Sequence, residues 1–218
     1  MSSTTMNRIG TAALTAAPRT DRRLLAGAIA GPFFAVSTVT QMVAREGFDL
    51  TRHPVSQLAT GSLGWVQIAT FALTGLAFLA LATGMRRRLT GFGRRVITFG
   101  VGVLGVGYVV AGVFPVDPQN GFPAGAPEGS VADVSWHAAI HLTAAVVAYL
   151  GLAVACIAAA VRAVRSRAFV AAALHGLVAV ALLLPTAPQF AYVQLALTSL
   201  VAFSWITANA LVLRRRTA

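Results

Sequence analysis

Two stretches of this sequence hold most of the side chains able to do acid–base or metal chemistry. The first reads REGFDLTRHPVSQLATGSLGW and carries Glu46, Asp49, Arg52 and His53. The second begins VFPVDP, with Asp117, and ends DVSWHAAIHL, with Asp133, His137 and His141. On a helix Asp133, His137 and His141 fall at i, i+4 and i+8, one stripe along one face. Histidines four apart can aim both imidazoles at one point, a workable metal pair. With His53 as a third ligand the set suits zinc, leaving a fourth position for water. Asp117 or Asp49 would then serve as base or steady a ligating imidazole. A plainer account uses the same residues. His137 and His141 would be hydrogen-bonded within the helix bundle, Asp133 would cap the helix, and Asp117 would be a solvated turn residue. Pro54, Gly61 and Trp65 would start, end and anchor a short interfacial helix.

The elements that must position these groups follow from composition. Of 218 residues, 57% are apolar and 11% charged, against about 25% charged in a soluble domain. Mean hydropathy is +0.76. A soluble domain and a disordered chain are both excluded, and one cysteine cannot build a disulfide scaffold. That residue, Cys156, lies mid-way through an apolar run and reads as small buried filler. Six apolar runs occur, at about 24–44, 65–85, 96–114, 136–161, 168–185 and 192–213. Backbone polar groups in lipid must be satisfied internally, and no alternating pattern suggests a barrel, so the runs are expected to be helices. The fold class is therefore an all-α polytopic bundle of six transmembrane helices. Residues 1–23 read as a disordered cytoplasmic tail and 214–218 as a short basic one.

All 17 basic residues are arginine. With six spans, fifteen fall on one side: the N-terminal tail, residues 86–95 and 162–167, and the C-terminus. Only Arg45 and Arg52 fall on the other side. The positive-inside rule makes both termini cytoplasmic. Short arginine clusters between apolar runs also argue against nucleic acid as the partner of this basic chain. Arginine without lysine in an alanine-rich chain suggests a bacterial source, hence the bacterial plasma membrane. His175 lies inside the fifth run and is expected to hydrogen-bond the sixth, where Ser204, Thr207 and Asn209 lie at a suitable depth. Gly100, Gly102, Gly105, Gly107 and Gly112 read as a helix-packing surface, since no strand or Gly-Lys-Ser/Thr ending makes them a phosphate loop.

The stretch GFDLTRHPVSQLATGSLGW, the VFPVDP that follows the third run, and the histidine opening the fourth together resemble the bacterial membrane proteins grouped as domain of unknown function 998. HPVSQL is the most specific element, and the resemblance covers about residues 24–213. It implies roughly six transmembrane helices and no settled activity. A looser similarity links the residue types to ceramidase-type membrane hydrolases, which set Ser, Asp and several His around zinc. On that analogy Ser56 and Asp117 would be catalytic, with His53, His137 and His141 on the metal. That group has seven helices and places its HxxxH pair in the last; this chain places HAAIH in the fourth of six.

Two function classes follow. One is a metal-dependent hydrolase acting at the outer leaflet. The other is a non-enzymatic membrane protein, a small transporter or partner-binding subunit. In either, the lipid bilayer is the surroundings, and a lipid or small-molecule ligand would meet the polar cluster at the outer mouth of the bundle.

Overall fold

The structure, a computed structural model, describes residues 21–215. Of the tails expected over residues 1–23 and 214–218, residues 1–20 and 216–218 lie outside that range, while Arg22 and Arg23 open the first helix and Arg214 and Arg215 end the last. Six α-helices follow in order: α1 Arg22–Ala44, α2 Gly64–Arg88, α3 Arg94–Val113, α4 Trp136–Arg165, α5 Phe169–Leu183 and α6 Ala191–Arg215. Among the described residues β-structure amounts to one isolated bridge, Gln119 with Phe122. Asp21 starts α1, its carboxylate accepting the Arg23 N–H at 3.1 Å. Several helices run past their apolar cores into flanking arginines, which are good helix formers.

Five helices, all except α5, are long and apolar enough to cross a membrane. α5 has 15 residues, about 22 Å at 1.5 Å per residue, short of a hydrocarbon core of about 30 Å. Leu184 continues the chain in extended form. Gln194 of α6 closes the α5–α6 link, donating to the Pro185 carbonyl at 2.9 Å and accepting the Ala187 N–H at 3.1 Å.

Neighbouring helices in sequence pack against one another, and α6 returns against α1. The centre is aromatic: Phe34, Phe71, Phe78, Tyr108 and Phe203 meet with ring centroids 5.1–5.8 Å apart, mostly tilted or edge-on. In lipid no hydrophobic effect drives helix association, so close approach and interhelical hydrogen bonds carry it. Gly75 of α2 and Gly105 of α3 are pressed together: a Cβ on Gly75 would stand 2.6 Å from the Gly105 carbonyl oxygen. Between α1 and α2, Gln41 donates to Gln67 Oε1 at 2.7 Å, and the Ser37 and Thr70 hydroxyls lie 2.7 Å apart. α5 is the peripheral helix, with Ala179 its one buried residue.

The bundle has two unlike ends. At one, Arg88 lies 3.7 Å from Asp21, and Arg162 donates to the Thr90 and Phe92 carbonyls. At the other, the long connections 45–63 and 114–135 fold over the helices as a cap.

Candidate functional site

The cap is organised around His53. The tight turn from Asp49 brings the Asp49 N–H to His53 Nδ1 at 2.9 Å. An N–H must donate, so Nδ1 is the acceptor and Nε2 carries the ring proton. Nε2 donates in turn to the Asn120 carbonyl, 3.0 Å away on the other connection. The ring is 1% exposed, between Phe48 and Phe122 with centroids 5.6 and 5.3 Å distant. Around it, Asn120 Nδ2 donates to the Arg52 carbonyl at 3.0 Å, and Gln57 Nε2 to the Gln119 carbonyl at 3.2 Å. Arg45 donates to the Leu58 and Thr60 carbonyls and lies 4.6 Å above the Phe122 ring. Those carbonyls close a short 3₁₀ helix, Val55–Ala59, that begins after Pro54. Gly61 follows with φ +73°, a left-handed turn that glycine adopts without strain.

The two aspartates expected to be catalytic serve the backbone. Asp49 is exposed, and one carboxylate oxygen accepts both the Thr51 N–H at 2.8 Å and the Thr51 hydroxyl at 2.7 Å. These bonds hold its pKa below the usual carboxylate value, the hydroxyl bond being the largest cause. Asp117 accepts the Ser135 N–H at 2.8 Å, just before α4. Ser135, not Asp133, caps that helix, its hydroxyl accepting the Ala138 N–H at 3.2 Å. Asp133 is exposed.

The histidines of α4 part company. His137 is exposed and stacks on Trp136, centroids 3.6 Å apart. His141 is 4% exposed, its Nδ1 3.1 Å from the Ala111 carbonyl and 2.9 Å from that of Phe114. Carbonyls only accept, so Nδ1 bears the proton and Nε2 keeps its lone pair. Among the described residues no three His, Cys, Asp or Glu side chains stand together as a metal-holding group. The donor set does not fit zinc: both His53 nitrogens are committed to backbone groups, and His137 is turned outward on Trp136. His175, in α5, accepts the Trp205 indole N–H at 2.8 Å. The partner helix is the expected one, but the partner is Trp205 rather than Ser204, Thr207 or Asn209. Thr207 instead donates to the Ala28 carbonyl at 3.3 Å, and Asn209 to its own helix.

His141 and Ser56 do share a feature. Both line a cavity of about 300 Å³ under the cap, walled by α3, α4, the end of α5 and the first turns of α6. That volume lies at the lower end of the range for small-molecule sites. Most of the wall is aliphatic, and Leu142, Val146, Leu184 and Leu195 on it are also exposed on the bundle's side. The cavity therefore has an apolar lateral mouth, near the loosely packed α5–α6 pair. Its polar features are His141, Ser56, Thr186, Gln194, Thr198 and a hydroxyl chain. In that chain Ser199 donates to the Leu195 carbonyl at 2.8 Å and so accepts from the Tyr149 hydroxyl. Tyr149 in turn lies 3.2 Å from the Tyr108 hydroxyl, which becomes the donor. Sequence reasoning passed over this chain. Its signal was that two of three tyrosines sit inside apolar helices, where a buried hydroxyl needs a partner.

Fold and site together define a multi-pass helical membrane protein whose capped end covers a ligand-sized, laterally open cavity. The chain belongs to the family described as Protein of unknown function (DUF998), whose model matches residues 28–213. No curated protein matches the chain, and no solved structure does. The likeness to ceramidase-type hydrolases thus rests on residue types alone.

Proposed function

We propose that this is a six-span protein of the bacterial plasma membrane, with both termini cytoplasmic, that binds a single-chain amphiphile in the outer half of its bundle. The carrying observation is the cavity of about 300 Å³, aliphatic at its lateral mouth and polar at His141, Ser56 and Gln194. An acyl chain would enter between α5 and α6 from the bilayer. Its polar end would meet the His141 Nε2 lone pair, the Ser56 hydroxyl and the Gln194 amide. Six spans are supported by the cavity's own lining. Leu184 and Thr186, at the far end of α5, share it with Ser56 and with the first turns of α4 and α6. The fifteen arginines expected at the opposite end support a cytoplasmic face there.

The reading is one of binding rather than metal-dependent hydrolysis, because His53 and Asp117 are spent on holding the cap and helix starts. The test is crosslinking with a single-chain fatty acid bearing a photoreactive group at its terminal carbon. Adducts on the α4 face that carries Leu142 and Val146, competed by unlabelled fatty acid, are expected. Adducts spread evenly over lipid-facing residues of α1 and α2 would contradict it.

A further inference from the structure

A second, separate feature lies on the opposite side of α4. A groove of about 960 Å³ runs along α3 between α2 and α4, from Arg95 in the first turn of α3 to Val110 in its last. The fifteen helical rises from Arg95 to Val110 make it about 22 Å long. Its walls are aliphatic, among them Leu79, Val103 and Val106. At the arginine end it is flanked by Arg86 and Arg95, with Thr83 and Thr98 just inside. Both arginines are exposed, and neither forms an ion pair among the described residues, where the two pairs are Arg52–Glu128 and Arg88–Asp21.

Gly102 adds an independent sign. A Cβ on Gly100 or Gly105 would collide with the neighbouring helix, so close packing accounts for both glycines. A Cβ on Gly102 would meet only the Ala82 Cβ, at an ordinary 3.9 Å. Glycine inside a helix costs roughly 1 kcal/mol relative to alanine, and helix packing does not require it there. What it does is leave the groove open at mid-length.

We propose that this groove is a binding site for an anionic phospholipid, its phosphate between Arg86 and Arg95 and one acyl chain lying past Gly102. Two unpaired guanidiniums match a phosphate, which they bind in bidentate fashion. The aliphatic trough matches the chain and runs along the membrane normal as a lipid does. The inference needs only that α2, α3 and α4 cross the bilayer, and it stands apart from the capped cavity.

The test is lipid retention by native mass spectrometry of the full chain from nanodiscs of mixed phosphatidylglycerol and phosphatidylcholine. Wild type is expected to retain phosphatidylglycerol preferentially. Arg86→Gln with Arg95→Gln should lower that preference about tenfold. Gly102→Leu, which keeps both charges, should lower it as well by filling the trough. Arg22→Gln with Arg87→Gln removes equal charge outside the groove and should leave the preference unchanged. Equal loss in that control would reduce the effect to general surface charge and overturn the site. So would unchanged retention in Gly102→Leu, or displacement of the lipid by millimolar inorganic phosphate.

Discussion

His53 Nε2 donates to the Asn120 carbonyl at 3.0 Å, joining the connection after α1 to the connection after α3. With the Asp49 N–H on Nδ1 at 2.9 Å, the imidazole is a two-ended clamp fixed in one neutral tautomer. Replacing it by alanine leaves the part-buried Asp49 N–H and Asn120 carbonyl without their partner and opens the Phe48–Phe122 sandwich. His53→Ala should lose roughly 2–4 kcal/mol of stability, read as thermal unfolding in detergent. Bound zinc should not differ between parent and variant. A variant of normal stability that loses zinc would restore the metal reading.

Asp49 gives the cap a pH dependence with a definite sign. Its carboxylate is held below the ordinary value by the Thr51 bonds. A group depressed in the folded state contributes stability that is present above its unfolded pKa, about 3.9, and is lost as pH falls through the lower folded value. The turn before His53 should therefore keep its amide-exchange protection at pH 5 and lose it only below about pH 4. Asp49→Asn should remove that acid transition. Loss of protection between pH 7 and 5 would contradict the assignment.

His175 and Trp205 form a single interhelical bond, the Trp205 N–H to His175 Nδ1 at 2.8 Å. Hydrogen bonds of this kind contribute about 1 kcal/mol in membranes. A double-mutant cycle of His175→Phe and Trp205→Phe should give a coupling near that value, with α5 the element released. Zero coupling would leave α5 held by its packing against α4 and α6 alone.

Topology can be read by reporter fusions. Fusions at residues 90 and 167 should report the cytoplasm, and those at residues 125 and 187 the opposite side. If residues 167 and 187 report the same side, α5 does not cross and the C-terminus is external.

The bundle was legible because lipid leaves the backbone few choices: apolar runs of sufficient length must be helices. α5 was the exception. Its run reads as 168–185, yet the helix ends at Leu183, where Pro185 and Pro188 exclude continuation and hydropathy cannot register that. In the segment HPVSQL, the His53 and Gln57 side chains hydrogen-bond backbone groups of the two connections. Residue type states what a histidine can bond, and only the register between the two long connections decides that His53 meets the Asn120 carbonyl. Helical spacing put His137 and His141 on one face. It could not foresee that Trp136 would stack on His137 or that the end of α3 would offer His141 two carbonyls. The cavity was illegible because its walls come from all six helices and the 3₁₀ turn.

The central claim is that the capped cavity holds an amphiphile, and Ala145 tests it most directly. Ala145 lines the cavity, while its neighbour Ala144 lines the groove on the other side of α4. The measurement is native mass spectrometry of the purified chain titrated with monooleoylglycerol, a single-chain amphiphile without a phosphate, comparing wild type with Ala145→Phe and Ala144→Phe. One equivalent should bind wild type and Ala144→Phe with equal affinity. Ala145→Phe, at unchanged thermal stability, should bind at least tenfold more weakly. Equal binding by all three would contradict the account.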